Sequence, residues 1–356
     1  MTSRELVTRS LEFANPARIP RQMWLLPWAI RHYGDHVKRI QSHFPDDLVG
    51  SPYFCCDMIL GNGDPYELGT YVDEWNCTFV NKHAGIIGEV KEPLVASWCD
   101  LDKVREPMEA LTVDTGKVAE FCHGTDKFVM APCCPRPFER LQFLRGTENV
   151  MTDLALDTDE LFLLLDKIHQ FYIKEVELWA RTDVDGIMFM DDWGSQQAML
   201  ISPAIWRDRF KPLYKQYIEI IHSARKKAFM HSDGWITDIL PDLIELGLDA
   251  INAQAFCMGL EELGSRFKGQ ITFWGEIDRQ HLLPNAQQEE IVKAVQRFNH
   301  CFYNNGGIIG QLEFGPGANP ENVYAAFEAW DNFLVPEDMR LSRLNGEQTH
   351  EQQYQE

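Results

Sequence analysis

Five short apolar segments in the second half of the chain each run directly into a polar or glycine-rich tip. They read GIMFMDDWG at 186–194, KAFMHSDGW at 227–235, DAINAQAF at 249–256, ITFWGEID at 271–278 and GIIGQLEFG at 307–315. Each apolar run has the length of a buried parallel strand, and most follow a stretch with helical periodicity. Strands that alternate with helices in this way are typical of α/β proteins with a parallel sheet.

The first half of the chain continues the alternation, so we predict a (β/α)8 TIM barrel with an N-terminal helix and a β-hairpin insertion. Three further strands are predicted within residues 19–28, 46–57 and 128–134. The N-terminal helix is predicted at 3–14. In residues 68–92, β-forming residues flank a turn-like NKHAG, which predicts the hairpin. Ser202-Pro203 and Asn319-Pro320 are typical helix starts. We predict one domain over residues 1–340 and a polar tail over 341–356.

Charge and apolar content limit the partners of this chain. Its 33 Lys and Arg against 54 Asp and Glu give a net charge of −21, which opposes nucleic acids and anionic membranes because phosphate binding needs a basic surface. No apolar run approaches the ~20 residues of a membrane span, and the N-terminus has no apolar signal core. The nine cysteines are scattered without a CxxC pair, which argues against a disulfide framework. We therefore expect a cytoplasmic protein that binds neither nucleic acid nor membrane.

The polar tips should converge at the carboxyl ends of the barrel strands, where active sites of such barrels lie. Asp191 and Asp192 follow the predicted fourth strand. Since neighbours on a strand point to opposite sides, one of these carboxylates should face the barrel mouth and the other should turn away. The residue that faces the mouth is a candidate catalytic acid; an N-cap or a salt bridge is the structural alternative.

His231 and Asp233 follow the fifth strand as His-x-Asp, and alternate residues on a strand point the same way, so both can reach one metal ion. Glu276 follows the seventh strand and Glu313 the eighth. Buried carboxylates are unfavourable unless they are paired or metal-bound, and few Lys or Arg stand at these tips. An imidazole with carboxylates suits zinc, with Mn²⁺ or Fe²⁺ as alternatives. A solvated acidic rim is the competing interpretation.

Aromatic and amide side chains are concentrated at the same tips and predict a substrate pocket with flat apolar walls. Core packing is the alternative for each of them. The candidate substrate-binding residues are Trp24, Tyr53, Trp193, Gln254, Trp274 and Phe314.

Several longer stretches resemble the uroporphyrinogen decarboxylase superfamily, most closely its corrinoid-dependent methyltransferase branch. They read PFERLQFLRGTENVMTDLA, ISPAIWRDRFKPLYKQ, HSDGWITDILPDLIELGLDAINAQ, FWGEIDRQHLLP and GPGANPENV. The resemblance covers roughly residues 3–335 and implies a β/α barrel. Thiol-methylating members carry His-x-Cys and a later Cys as zinc ligands. Here Asp233 stands at the first Cys position, and the second position aligns with Leu312, next to Glu313.

By analogy, the resemblance implies an O-demethylating methyltransferase. It would move a methyl group from a small methoxylated substrate to the Co(I) of a separate corrinoid protein, since this chain has no DxHxxG motif. A divalent metal held by His231 with some of Asp233, Glu276 and Glu313 would act as Lewis acid. Asp191 or Asp192 would protonate the leaving group or orient the substrate.

Other functions remain open at this point. The methyl group could instead pass from methylcobalamin to an acceptor. A lyase without corrinoid and a non-catalytic small-molecule binding protein are further alternatives. Decarboxylation of a polycarboxylate is disfavoured, because the N-terminal segment that carries arginines in true decarboxylases reads RQMWLLPWAIRHYG at 21–34. A homodimer is an alternative to a monomer.

Overall fold

The computed structural model describes residues 1–57 and 61–333, and eight parallel strands in it form a nearly closed barrel surrounded by helices. The order around the barrel is β1-β8-β7-β6-β5-β4-β3-β2. Between β1 and β2, the Asp47 amide donates to the Arg21 carbonyl at 2.9 Å. The predicted (β/α)8 barrel is therefore confirmed. The strands are β1 Arg21–Leu25, β2 Leu48–Gly50, β3 Phe128–Met130, β4 Gly186–Met190, β5 Lys227–Ser232, β6 Ala250–Ala253, β7 Thr272–Trp274 and β8 Ile308–Phe314.

Fourteen α-helices lie within the described residues, and short 3₁₀ helices occupy Trp98–Lys103 and Met108–Leu111. The α-helices are α1 Ser3–Leu11, α2 Pro27–His43, α3 Thr115–His123, α4 Pro137–Arg145, α5 Thr147–Leu156, α6 Asp159–Ala180, α7 Pro203–Arg209, α8 Lys211–Ser223, α9 Leu240–Glu245, α10 Ala255–Met258, α11 Leu260–Phe267, α12 Leu282–Asn285, α13 Gln288–Phe302 and α14 Pro320–Asp331. Over the same part of the chain, none of these helices is long and apolar enough to cross a membrane.

The N-terminal helix α1 closes one end of the barrel. Its buried residues Val7 and Leu11 belong to the apolar cluster of the barrel interior, together with Phe229 and Trp274. The Ser10 hydroxyl on the same helix donates to the Ile308 carbonyl at 2.6 Å. Helix α1 thus closes the end of the barrel opposite the polar tips. The open end, at the carboxyl ends of the strands, is where active sites of such barrels lie.

The predicted hairpin insertion is present, but it has three antiparallel strands rather than two. They are Gly69–Val72, Thr78–Asn81 and Glu89–Val90. The tight turn lies at 73–77, where Asp73 Oδ1 accepts from the Trp75 and Cys77 amides at 3.0 and 2.7 Å. The NKHAG segment joins the second strand to the third. The Trp28 amide donates to the Gly85 carbonyl at 3.2 Å and ties the insertion to the start of α2.

Two predicted helix starts are confirmed by their caps. The Ser202 side chain accepts from the Ala204 amide, and the Asn319 side chain accepts from the Glu321 amide, each with a proline in the first turn. The helix that begins after Ser202 ends at Arg209, and a second helix, α8, begins directly after Phe210. The predicted polar tail, residues 341–356, lies outside the described residues.

Candidate functional site

Three potential metal ligands meet at the ends of the neighbouring strands β4 and β5. Asp192, His231 and Asp233, hereafter the His231 cluster, have ligand atoms that all lie within 4.8 Å of one another. His231 Nε2 is 3.5 Å from Asp192 Oδ1 and 3.6 Å from Asp233 Oδ1. Ligand atoms on one tetrahedral zinc ion, with bonds of about 2.0–2.2 Å, lie roughly 3.4 Å apart. The spacing therefore suits a shared metal ion.

The orientation of His231 is fixed from behind by an amide chain. His231 Nδ1 lies 2.5 Å from Asn252 Oδ1. The Asn252 amide group donates to the Trp274 carbonyl and, at 2.9 Å, to Gln311 Oε1. Since Asn252 uses its N–H groups there, its oxygen accepts from a protonated Nδ1 of His231. In this tautomer, Nε2 carries a lone pair that faces Asp192 and Asp233, as a metal-binding histidine requires.

Asp233 supplies the second sign of a cation site. Its Oδ2 accepts from Arg279 Nη2, whereas its Oδ1 is buried and has no hydrogen-bond partner among residues 1–57 and 61–333. An unpaired carboxylate oxygen beside an imidazole lone pair is unfavourable unless a cation lies between them. Asp192 is more exposed and accepts from the Asp233 amide at 2.9 Å. One imidazole nitrogen and two carboxylates therefore fit zinc or a similar divalent metal.

A close approach of two backbone segments holds the cluster together. The Gly194 amide donates to the Asp233 carbonyl at 3.1 Å, and the Trp235 amide donates to the Ser195 carbonyl at 2.7 Å. A Cβ on Gly194 would lie 2.2 Å from the Trp235 nitrogen. Only glycine fits at position 194, and this contact keeps the tips of β4 and β5 together.

Asp191 lies behind the cluster instead of in it. Its carboxylate is fully buried and accepts from the Phe138 amide at 3.1 Å, the Glu139 amide at 2.7 Å and the Tyr214 hydroxyl at 2.5 Å. Burial, and next the nearby Glu139 carboxylate, raise the pKa of Asp191 well above its usual range. Of the two adjacent carboxylates, Asp192 faces the mouth, and Asp191 anchors the start of α4.

Glu276 and Glu313 lie beside the cluster, but a protein cation already pairs with both. Arg279 Nη1 is 3.2 Å from Glu276 Oε1 and 3.6 Å from Glu313 Oε2, while the other Nη group contacts Asp233. Arg279 thus supplies to both glutamates the positive charge that was expected from a metal. Burial raises the pKa of Glu276 to about 8, against the opposing effect of Arg279. Asp192, rather than either glutamate, completes the set at ligand distance.

Two of the predicted aromatic residues contact the site. The Trp24 ring lies 5.1 Å from the His231 ring and packs edge-on against Trp274 at 5.3 Å. Trp274 is itself almost fully buried and belongs to the cluster of the barrel interior. Trp24 therefore forms the apolar wall beside His231, and Trp274 supports it from below.

Two other predicted wall residues are placed in the packed core. Trp193 is fully buried, stacks on Phe138 with a centroid distance of 4.3 Å and donates from its indole to the Tyr214 hydroxyl at 3.1 Å. Phe314 is also fully buried and stacks on Tyr33. Their large apolar rings fill space between the barrel and its helices, so neither presents a surface to a ligand.

Gln254 lines a first cavity of about 200 Å³ next to the His231 cluster. Its Oε1 accepts from the Gly234 amide at 3.2 Å and from Gln196 Nε2 at 2.8 Å. The cavity is bordered by amides, charged groups, a thiol, one phenyl ring and one imidazole ring. Its lining residues are Gln196, Gln254, Phe256, Cys257, Glu276, Asp278, Arg279, Gln280 and His281.

Tyr53 lines a second cavity of about 320 Å³ that lies between the insertion, the ends of β2 and β3, and helix α6. The Tyr53 hydroxyl donates to Glu175 Oε1 at 2.9 Å. Burial raises the pKa of Glu175 to about 7 in spite of this hydrogen bond. Tyr53 is therefore a cavity residue, as predicted for a substrate pocket, but in a different cavity from Gln254.

A charged pair that was not predicted from the sequence lies at the edge of the second cavity. Arg136 Nη1 lies 3.7 Å from Glu139 Oε2. Burial raises the pKa of the Glu139 carboxyl, and Arg136 opposes this shift. The Glu139 amide donates to Asp191 Oδ1 at 2.7 Å, and Asp191 directly precedes Asp192 of the cluster. Arg136, Glu139 and Arg279 all stand in the first turns after β3 and β7, in PRPFER and EIDRQ, which was the signal that could have identified them.

Comparison with known proteins identifies both a family and a fold. The family model for uroporphyrinogen decarboxylase (URO-D) matches residues 80–333. A solved methyltransferase from Methanosarcina mazei superposes with a TM-score of 0.63 at 15% identity, over 94% of this chain and 100% of that one.

Two glycoside hydrolases are much less similar. A xylanase from Gloeophyllum trabeum gives a TM-score of 0.39 at 13% identity, over 60% of this chain and 79% of its own. A GH113 β-1,4-mannanase gives a TM-score of 0.39 at 10% identity, over 88% and 99%. No curated protein sequence matched the chain.

Proposed function

Because the chain belongs to the uroporphyrinogen decarboxylase family, we propose that it is a methyltransferase that moves a methyl group from a small O-methylated substrate to the Co(I) of a corrinoid protein. The observation that carries the proposal is the His231 cluster. It offers an imidazole lone pair and an unpartnered buried carboxylate oxygen to one point at the barrel mouth. The methyltransferase name of the M. mazei barrel agrees with this proposal, although at 15% identity that likeness concerns the fold alone.

Asp192, His231 and Asp233 are the residues that would hold zinc or another divalent metal. When bound, such a metal supplies Lewis acidity to the oxygen that loses its methyl group. The protein's part is orientation. Asn252 keeps His231 in the ligating tautomer, and Arg279 holds Asp233 Oδ2 so that Oδ1 faces the cluster.

The chemistry of the donors favours an oxygen-linked methyl group over a sulfur-linked one. By resemblance, Asp233 replaces a thiolate ligand, and Leu312, at the position of the second, is fully buried and apolar. Carboxylates are harder ligands than thiolates and donate less charge to the metal, so the centre they form is more electrophilic. A hard, electrophilic centre suits an ether oxygen better than a soft thiolate.

Glu276 is the group best placed to hold a proton for the departing oxygen. It is buried and lines the first cavity, and burial raises the pKa of its carboxyl to about 8. A carboxylic acid whose pKa is near the working pH is an effective general acid. We assign this role to Glu276 instead of Asp191, whose oxygens all face α4 and Tyr214.

The first experiment is elemental mass spectrometry of the purified protein beside two variants. We expect near-stoichiometric metal in the wild type and its loss in His231→Ala. The matched control is His123→Ala, since His123 is exposed on α3 and pairs with Asp183. The second step is to mix each protein with Co(I)alamin and methoxylated compounds and to follow methylcobalamin by its absorbance. Retained metal and full turnover in His231→Ala would overturn the proposal.

The same assay separates the other functions. Methyl transfer from methylcobalamin to an acceptor, without the forward reaction, would reverse the proposed direction. Turnover without any cobalamin would identify a lyase. Tight ligand binding without metal or turnover would identify a binding protein.

A further inference from the structure

The first cavity shares part of its wall with the His231 cluster. Arg279 borders the cavity and pairs with Asp233 of the cluster. Gln254 also borders the cavity, and its Oε1 accepts at 3.2 Å from the amide of Gly234, which directly follows Asp233. A ligand in the first cavity therefore lies against residues that contact the proposed metal site directly.

The charged groups around this cavity are paired within the protein. Arg279 contacts a carboxylate of the His231 cluster and lies 3.2 Å from Glu276 Oε1 and 3.6 Å from Glu313 Oε2. One oxygen of Asp278 accepts from the backbone amides at 280 and 281, and the other lies 3.1 Å from His281 Nδ1. Since Arg279 is shared among three carboxylates, the cavity repels an anionic ligand.

The unused hydrogen-bonding groups of the cavity are neutral amides. Gln254 Oε1 accepts from Gly234 and Gln196, while the Gln254 NH2 group has no partner among residues 1–57 and 61–333. In that same part of the chain, Gln196 Oε1 and the side chain of Gln280 form no hydrogen bond either, and both glutamines line the cavity. Amides present donors and acceptors side by side. This arrangement matches hydroxyl groups, because each hydroxyl both donates and accepts.

The apolar part of the wall is the ring of Phe256, which is half-buried and packs parallel to Phe298 at a centroid distance of 6.4 Å. The cavity volume of about 200 Å³ holds roughly seven water molecules at about 30 Å³ each, or one small ring. A saturated ring that carries hydroxyl groups matches both surfaces. Its C–H face packs on the phenyl ring, and its polar edge reaches the amides.

We propose that the first cavity binds the substrate as a neutral methyl ether of a small polyhydroxylated ring, such as a methyl pyranoside. Its hydroxyl groups bind Gln254 and Gln280, and one ring face packs on Phe256. The inference rests on the proposed function, because it names the class of the O-methylated substrate. In the transfer, the bond between methyl carbon and oxygen breaks, and Co(I) supplies the electron pair of the new carbon–cobalt bond. The oxygen keeps the pair of the old bond and takes a proton from Glu276, which leaves the free polyol.

The test is a binding titration of the purified protein without cobalamin, followed by ligand-observed NMR. The probes are the methyl pyranosides of xylose, glucose, galactose and mannose. Methoxycyclohexane has the ring and the methoxy group without the hydroxyls, and methyl glucuronide adds a carboxylate. We expect at least one neutral pyranoside to bind on the order of tenfold more tightly than either comparison compound, because several hydrogen bonds are lost in the first and charge repulsion is added in the second.

Two substitutions locate the bound ring. Gln254→Met and Gln280→Met keep the length of the side chain but remove its amide, so each should weaken binding of that pyranoside on the order of 2- to 10-fold. The matched control is Gln197→Met. Gln197 is exposed in the same loop as Gln196 but does not line the cavity, so its variant should bind as the wild type does.

The inference is overturned if no pyranoside binds, or if methoxycyclohexane or methyl glucuronide binds as well as the best pyranoside. Unchanged affinity in both glutamine variants would overturn it too. If Gln254→Met does not fold by circular dichroism, Gln280→Met decides alone. Pyranoside binding without methyl transfer to Co(I) would refute the proposed function and leave the binding site. Methyl transfer from other methoxylated compounds that a saturating pyranoside does not inhibit would leave the function and refute the site.

Discussion

Asn252→Leu is the substitution that tests the support of His231 most directly. The asparagine is fully buried and makes three hydrogen bonds, to His231 Nδ1, the Trp274 carbonyl and Gln311 Oε1. Leucine has a similar volume but makes none of them. Three buried polar groups lose a partner, at a cost of about 1–3 kcal/mol each, and burying leucine returns about 1.5–3 kcal/mol in all. We therefore expect the free energy of unfolding to fall by about 2–5 kcal/mol.

The chain provides a matched control in Asn299 of α13. This side chain is also fully buried, and neither its oxygen nor its nitrogen has a hydrogen-bond partner in the part of the chain that the structure describes. Asn299→Leu adds apolar burial without breaking a hydrogen bond, so it should be neutral or stabilising. The difference between the two variants isolates the hydrogen bonds from the change in side-chain shape.

Both variants can be measured by urea unfolding, followed by circular dichroism and tryptophan fluorescence, with the m-value as a check on the unfolded state. A chelator competition gives the second readout. Loss of the group that orients a metal-binding histidine typically weakens metal affinity about 10- to 100-fold. If Asn252→Leu unfolds within about 1 kcal/mol of Asn299→Leu, the hydrogen-bond network does not stabilise the fold. If its metal affinity is unchanged, Asn252 does not orient His231.

Asp191→Ala should lower the free energy of unfolding by about 2–4 kcal/mol, because it removes three hydrogen bonds at the start of α4. Asp192→Ala should change the free energy of unfolding by less than about 1 kcal/mol but abolish metal retention. The reverse outcome would mean that Asp191 binds the metal and Asp192 stabilises the fold. Gly194→Ala should lower the unfolding temperature sharply and weaken metal binding, since a Cβ there would overlap the Trp235 backbone; an unchanged melting curve would contradict this contact. Glu175 binds its proton more tightly in the folded state, with a pKa of about 7 against 4.5 for a free side chain. The stabilisation of the fold by protonated Glu175 is therefore complete below about pH 4.5 and is lost as the pH rises through about 7. Relative to Glu175→Gln, the wild type should lose up to about 3 kcal/mol between pH 4.5 and 8 in unfolding titrations; parallel curves would show that Glu175 titrates normally.

Much of the barrel could be predicted because its strands and helix starts are determined by short local stretches of sequence. The apolar runs before Asp191, Asp233 and Glu276 became β4, β5 and β7, and the Ser202 and Asn319 caps lie where their prolines indicated. The third strand of the insertion could not be predicted, because Glu89–Val90 is too short to show an alternating pattern. It forms only because it pairs with Thr78–Asn81.

The site was harder to predict because its residues follow strands in irregular loops. The alternation rule correctly put Asp191 and Asp192 on opposite sides, but it could not say which one faced the mouth. The answer depends on α4, whose free amides take the Asp191 carboxylate. The direction of Arg279 could not be predicted either, since no periodicity governs a turn. Its pairing with three carboxylates is a tertiary result.

The His231 cluster draws all of its candidate ligands from two adjacent strands. Its loops at 192–195 and 233–235 are joined by their own backbone hydrogen bonds, while the tips of β1, β2, β3 and β8 supply no ligand to it. The loop after β3 leads into α4, whose amides fix Asp191, so it must be kept. A protein engineer could therefore diversify the loops after β1, β2 and β8, including the whole insertion, in a library screened for new substrates. Selection would act on recognition alone, and the chemistry would be inherited intact by every member of the library.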